Sequence, residues 1–302
     1  MTTRLAALRG MLVARRLDAL LVTQPQNLRY LADFPDDDAA LFVTQATAHI
    51  LIDFRYAAMV RQRCQGCKLL EISGARPLEQ AVLSLVQASG ATRLGFEGHH
   101  LTYDTYRALR RSLLTAGRAA AHLVSTPRLV EQIRTIKEPG ELAAIEQAAH
   151  LADEAVAHLL AKLQDPAAPV PTERQAAWQL ERHMRDHGAE GVAFDVAVAS
   201  GPNSAVPHHP SGDRPLGHGE PIWIDIGALV DGYRSDLTRT FCMGESDARY
   251  RDVYDLVLRA QLAAERVLRP GVTGRVVDAA ARDLITREGY GESFRHGTGH
   301  GV

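Results

Sequence analysis

The sequence has few cysteines, no long apolar run and no excess of charge of either sign. Three cysteines in 302 residues argue against a disulfide scaffold and fit a reducing cytoplasm, where we expect the protein to be located. No apolar segment approaches the roughly 20 residues that span a bilayer, so a membrane protein is not expected. The formal net charge is -2 and the basic residues form no block, so nucleic acid is not an expected partner.

The N-terminal segment and a cysteine pair each allow two interpretations. Residues 4–16 combine arginines with apolar residues, as a transit peptide does. The same spacing is typical of an amphipathic helix that leads into an apolar strand, and we favour the helix. Cys64 and Cys67 have the CxxC spacing of redox and zinc sites. No second cysteine pair or histidine pair at a suitable spacing follows them, so we favour a structural role.

The pattern of predicted helices and strands changes near residue 127. In residues 1–127, helical stretches alternate with strand-like apolar runs, which predicts a small α/β domain. The apolar runs lie at 19–23, 40–44, 49–53, 69–72, 93–97 and 121–125. This half has no glycine-rich phosphate loop and no nucleophile elbow, so it carries no chemistry that we can name.

Residues 128–302 predict an α+β domain. A polar, proline-marked stretch comes first, and a capping box of Thr172 and Gln175 begins the second helix. The predicted elements are helices over 142–163, 172–188, 247–268 and 275–288, a strand over 194–199 and a β-hairpin over 222–240.

The predicted hairpin carries two aspartates. Isoleucines at 222, 224 and 226 alternate with other residues, so Asp225 lies on the face opposite the buried isoleucines. Asp231-Gly232 is typical of a type I′ turn, and this turn places Asp225 opposite Thr238 and Gly227 opposite Asp236. The two aspartates then project from one face as diagonal neighbours, roughly 7–8 Å apart.

Two carboxylates in this arrangement indicate a metal site. They raise each other's pKa and lower stability unless a cation neutralises them, and a pair of divalent ions about 3.5–4 Å apart would do so. The alternative is that the two aspartates are solvated on an exposed sheet face. The apolar residues that flank them argue against this.

Histidines cluster in two further segments. The loop 200–209 ends in His208 and His209, and the segment 294–301 carries His296 and His300 among glycines that permit close approach to a ligand. A single histidine is more often structural. Together with two facing carboxylates, these histidines favour a metal or catalytic role.

Three motifs in this order carry a specific resemblance. The runs S-G-P-N-S-A-x-P-H, I-D-I-G-A-x-x-D-G-Y-x-S-D-x-T-R-T and H-G-T-G-H-G resemble those of the pita-bread metallopeptidases, in the branch of the Xaa-Pro aminopeptidases and prolidases. The resemblance implies a pita-bread catalytic domain over 128–302, preceded by a smaller creatinase-type α/β domain over 1–127, and a homodimer.

The resemblance also implies a site with two divalent metal ions, Mn²⁺ first, with Co²⁺ or Zn²⁺ as alternatives. Asp225 would bind one ion through both oxygens, Asp236 would bridge the two, and His300 would bind the second. His208 would contact the substrate near the scissile bond, and His296 would hydrogen-bond the substrate or the tetrahedral intermediate.

The implied reaction is hydrolysis of the Xaa-Pro bond in proline-containing peptides or dipeptides. A hydroxide that bridges the two ions would attack the carbonyl of the residue before proline. Thr238 would support the ligands, whereas His209, Tyr233 and Arg239 are expected to be structural or surface residues. Dipeptidase and aminopeptidase action both remain open.

The family pattern has two further glutamate ligands that have no counterpart before Val302. We therefore expect a fragment that lacks the C-terminal part of the catalytic domain, binds metal weakly and hydrolyses little. Two alternatives are a non-catalytic interaction module on the pita-bread scaffold and a metal-free creatinase-like amidinohydrolase. The presence of both aspartates and His300 weighs against the latter.

Overall fold

The computed structural model describes residues 3–34, 38–115, 117 and 121–301, and the chain divides between Glu138 and Pro139 into two compact units. The two units share no sheet, and each has its own buried core. No helix in the described ranges is long and apolar enough to cross a membrane.

The first unit is a six-stranded mixed sheet with helices on both faces. Its strand order is β4-β3-β2-β1-β5-β6. The strands are β1 (Ala19–Val22), β2 (Ala40–Thr44), β3 (Ala48–Ile52), β4 (Lys68–Glu71), β5 (Arg93–Phe96) and β6 (His122–Ser125). The helices are α1 (Thr3–Ala14), α2 (Pro25–Ala32), α3 (Ala57–Arg63), α4 (Leu78–Ser89), α5 (Tyr103–Thr115) and α6 (Leu129–Arg134).

Successive residues of each central strand belong to different cores, because side chains alternate between the two faces of a sheet. Leu20 packs with Leu8 of α1 in one core, and Leu21 packs with Val82 of α4 in the other. The N-terminal helix predicted from the sequence is thereby confirmed, since α1 buries Leu5, Leu8 and Leu12.

The proline-marked stretch after β6 contains helix α6, which the sequence did not predict. Leu129 and Val130 of α6 are buried in the core that includes α1. The predicted limits at 127/128 assign this stretch to the second domain, whereas the structure packs it with the first unit.

The cysteine pair is structural, as predicted. Cys64 is buried in a core of the first unit, and both thiols are free. Burial raises the pKa of Cys64 to about 12 and that of Cys67 to about 11. Thiolates are the reactive form of cysteine, so these groups are poorly suited to redox chemistry or metal binding at neutral pH.

The second unit contains two three-stranded sheets and four long helices. The sheet orders are β12-β9-β8 and β11-β10-β7. The strands are β7 (Gly191–Val192), β8 (Ala197–Ser200), β9 (Pro221–Ile226), β10 (Ala228–Val230), β11 (Tyr233–Arg234) and β12 (Leu237–Cys242). The helices are α7 (Pro139–Leu163), α8 (Glu173–Asp186), α9 (Ala248–Val267) and α10 (Gly274–Arg287).

The capping box predicted at the start of α8 is present. Thr172 Oγ1 accepts a hydrogen bond from the Gln175 backbone at 3.2 Å, and Gln175 Oε1 accepts one from the Thr172 backbone at 2.9 Å. The strand predicted over 194–199 begins too early, because β8 pairs with β9 only from Ala197 onward.

The hairpin has the predicted turn and the predicted register. Asp231 and Gly232 have φ of 47 and 77, as a type I′ turn requires, and Asp225 pairs with Thr238. The three isoleucines of β9 are fully buried, whereas Asp225 is half-buried on the other face. The structure adds a break at Gly227, where the hairpin passes from one three-stranded sheet to the other.

Candidate metal centre

Asp225 is a half-buried carboxylate whose charge is poorly compensated. Burial raises its pKa, and the nearby negative charge of Asp236 raises it further. A hydrogen bond from Thr238 Oγ1 to Asp225 Oδ1, at 3.1 Å, acts in the opposite direction, as do His208 and His300, but the pKa remains above its ordinary value. Such a group favours a proton or a cation beside it.

Asp236 and His300 lie next to each other. Asp236 Oδ2 is 3.8 Å from His300 Nε2, and the His300 side chain is 76% exposed. His300 Nδ1 lies 3.0 Å from the Gly301 carbonyl, which can only accept a hydrogen bond. We therefore assign the proton to Nδ1, which leaves Nε2, the nitrogen nearer Asp236, free to bind a metal ion.

Four of the five predicted site residues line one cavity of about 870 Å³. These are Asp225, Asp236, His300 and His208. His208 is exposed and has a left-handed backbone, with φ of 55.

His296 does not line this cavity. Its Nδ1 lies 2.8 Å from the Gly297 carbonyl, and its ring packs edge-on against Phe294 with centroids 4.8 Å apart. Its backbone carbonyl accepts a hydrogen bond from Arg282 at 2.6 Å. The role that the resemblance implies for His296 therefore stays a prediction.

The cavity has walls that the sequence did not indicate. Arg174 and Trp178 of α8 line it, together with Phe194 and Trp223. The sequence around these residues does not predict this location, because only tertiary packing places α8 beside β8. Trp178 is large and apolar but 61% exposed. This exposure would have pointed to a binding surface, but it can be seen only once the fold is known.

The donor types fit divalent metal ions. Carboxylate oxygens and an imidazole nitrogen suit Mn²⁺ and Zn²⁺. The raised pKa of Asp225 beside a second carboxylate is the observation that supports a cation here. Within the described ranges, however, no three His, Cys, Asp or Glu residues already stand close enough to hold an ion. The donors line one cavity but do not form a closed cage.

Comparison with known proteins identifies both parts of the chain. Residues 143–302 match the model of metallopeptidase family M24, and residues 4–136 match the creatinase/prolidase N-terminal domain. The chain belongs to metallopeptidase family M24. The expected enzyme class is thereby confirmed, and the family implies divalent metal ions.

Two relatives show how much of the chain is shared. An uncharacterised peptidase of Bacillus subtilis is 34% identical over 299 residues, which are 99% of this chain and 82% of that protein. An Xaa-Pro dipeptidase of Pyrococcus furiosus is 38% identical over 174 residues, which are 58% of this chain and 49% of that protein.

Solved structures show the same fold. The Xaa-Pro dipeptidase from Bacillus anthracis has a TM-score of 0.90 at 34% identity, over 99% of this chain and 81% of that one. The prolidase from Pyrococcus horikoshii has a TM-score of 0.86 at 28% identity, over 100% of this chain and 82% of that one. The α+β pita-bread fold with a creatinase-type N-terminal domain is confirmed.

Proposed function

We propose that the second unit hydrolyses the Xaa-Pro bond of proline-containing dipeptides or peptides, with divalent metal ions held by Asp225, Asp236 and His300. The observation that carries this proposal is the cavity that these three donors share with His208. The similarity to Xaa-Pro dipeptidases supports the choice of substrate.

Divalent ions, when bound, would supply Lewis-acid polarisation of the scissile carbonyl and a water of lowered pKa. Asp225 and Asp236 would hold the ions, and Thr238 would orient Asp225 through its 3.1 Å hydrogen bond. With oxygen-rich donors we propose Mn²⁺. Because the three proposed ligands are few for two ions, we expect weak metal binding and slow hydrolysis.

The cavity walls suit a proline-containing substrate. The bond before proline has no N–H, so recognition depends on shape and on apolar contact. Trp178, Phe194 and Trp223 give the cavity aromatic surface against which a proline ring could pack. His208 would donate a hydrogen bond near the scissile bond, and we keep His296 as a proposed stabiliser of the tetrahedral intermediate. A cytoplasmic homodimer remains part of the proposal.

Metal analysis and peptide cleavage test this proposal together. We expect the protein, supplied with millimolar Mn²⁺, to release the first residue of Ala-Pro and not of Ala-Ala, with Ala-Pro-Ala distinguishing aminopeptidase from dipeptidase action. Asp236→Asn should abolish both Mn²⁺ binding and cleavage, whereas Asp252→Asn, the same change at an exposed position of α9, should alter neither.

Mn²⁺ binding without proline-dependent cleavage would overturn the proposed substrate. A folded chain that binds no Mn²⁺ and cleaves no peptide would favour the non-catalytic interaction module instead.

A further inference from the structure

Glu173 is a fully buried carboxylate that takes no part in the metal centre. It is the first residue of α8, and its side chain is 0% exposed. Burying a carboxylate is costly unless hydrogen bonds replace the lost water, so its partners require an explanation. No sequence motif identified Glu173 as functional.

The two oxygens of Glu173 bind opposite ends of one loop, residues 200–212. Oε1 accepts from the Ser200 backbone N–H at 2.8 Å and from Asn203 Nδ2 at 2.9 Å. Oε2 accepts from the Gly212 backbone N–H at 3.0 Å, lies 3.3 Å from His209 Nε2, and lies 3.2 Å from Asn203 Nδ2.

These contacts keep Glu173 ionised. Burial raises its pKa, but the hydrogen bonds from Asn203, Gly212 and Ser200 and the charge of His209 outweigh burial, and the pKa lies below its ordinary value. An ionised carboxylate is an acceptor only, which suits a position faced by several donors. The start of a helix also favours negative charge.

The loop between the two anchored ends carries His208. Residues 208–211 form part of the cavity wall, and His208 stands there in a left-handed conformation. Arg174 strengthens the second anchor, since its backbone N–H donates to the Gly212 carbonyl at 2.9 Å. The position of His208 thus depends on a loop fixed at both ends by one buried side chain.

We propose that Glu173 is a positioning residue, whose buried carboxylate fixes both ends of loop 200–212 and thereby holds His208 at the cavity that contains Asp225 and Asp236. The catalytic consequence rests on the proposed function, whereas the effect on the loop does not.

Glu173→Gln is the decisive substitution. The Ser200 and Gly212 N–H groups lie on different oxygens of Glu173. A glutamine amide has one oxygen and one NH₂ group, so either orientation leaves one backbone N–H facing a donor. One end of the loop must therefore detach while the side-chain volume stays nearly unchanged.

Trp223 reports the loop independently of activity. Its indole N–H donates to the Ser204 carbonyl at 3.1 Å, and Trp178 is the other tryptophan of the chain. In a Trp178→Phe background, we expect Glu173→Gln to shift Trp223 emission to longer wavelength and to increase acrylamide quenching. Glu146→Gln, the same change at an exposed position of α7, should leave both signals unchanged.

Kinetics separate positioning from a general loss of structure. With Mn²⁺ and Ala-Pro, we expect Glu173→Gln to lower kcat/KM by up to about 100-fold, as misplacement of a contacting group does. Because Glu173 would act through His208, adding Glu173→Gln to His208→Ala should cause little further loss, and Glu173→Asp should restore part of the activity. Additive losses in the double variant would overturn the proposal.

The fluorescence and kinetic experiments distinguish the positioning role of Glu173 from the proposed function. If the wild-type chain cleaves no Ala-Pro, the proposed function fails and the Trp223 signals alone decide the positioning role. Unchanged Trp223 signals in Glu173→Gln would overturn that role whatever the kinetics. Should Glu173→Gln not fold, Asn203→Ala removes one partner of the carboxylate without altering α8, and the same signals apply.

Discussion

Thr238 donates a hydrogen bond to Asp225 across the hairpin, and this contact lowers the pKa of Asp225 against the effect of burial. If Asp225 binds metal as proposed, we predict that Thr238→Val weakens Mn²⁺ binding by about 10- to 100-fold, the usual effect of losing a hydrogen bond to a metal ligand. Isothermal titration measures the affinity. Thr240→Val, two residues along the same face of β12, is the control, and equal losses in both variants would contradict the prediction.

His49 makes the first unit sensitive to acid. Burial lowers the pKa of His49, and Lys68, its partner across β3 and β4, lowers it further. The unfolded chain therefore binds the proton more readily, and stability is lost as pH falls below about 6.5 towards the lower pKa of the folded state. The loss is at most about 1.4 kcal/mol per pH unit for one group.

We predict that His49→Gln reduces the difference in free energy of unfolding between pH 7.5 and pH 5.0. Urea denaturation at the two pH values measures it. His122→Gln, at an exposed position of β6, should leave the difference unchanged. An identical pH dependence in wild type and His49→Gln would refute this role.

At the scale of elements, close packing at the break in the hairpin requires glycine at position 227. A Cβ on Gly227 would lie 2.1 Å from the Ser235 carbonyl oxygen and 2.8 Å from the Ala193 side chain. We predict that Gly227→Ala destabilises the second unit by about 1–3 kcal/mol, measured by chemical denaturation. Gly274→Ala, at an open position of α10, should be neutral or stabilising, and a neutral Gly227→Ala would contradict this account.

The hairpin shows how far local sequence determines structure. Its turn and register were predictable because Asp231-Gly232 selects the turn and the isoleucine alternation selects the buried face. Its division between two sheets was not, because that depends on a contact distant in sequence. Buried Ser235 donates to the Ala148 carbonyl of α7 at 2.8 Å and accepts from the Ala228 N–H at 3.0 Å.

At the scale of the whole molecule, the candidate site also combines residues that local sequence predicts with residues that only contacts distant in sequence bring together. Asp225 and Asp236 were predictable as a pair because one hairpin carries both. His208 and His300 were assigned through the family motifs, and the structure places them at the same cavity. Glu173 was not predictable, because its role arises only where α8 meets the loop 200–212.

The two units have separate cores, so we predict two transitions in calorimetry of the whole chain. Leu8→Ala should lower only the transition of the first unit and Leu180→Ala only that of the second, each by about 2–5 kcal/mol in stability. Mn²⁺ at 100 times its Kd should raise only the second, by about 2.7 kcal/mol. A single transition shifted by both variants would contradict separate cores.

The two-residue turn has a consequence for which changes of chain length the protein can tolerate. Asp225 and Asp236 share a face because the intervening strands have matched lengths, so one residue inserted or deleted between these two aspartates would turn one carboxylate towards the isoleucines. Removing Leu229 together with its cross-strand partner Arg234 keeps the outer pairing. We predict that deleting Leu229 alone abolishes Mn²⁺ binding, whereas deleting Leu229 and Arg234 together does not. The hairpin would then tolerate only changes of length that alter both strands equally.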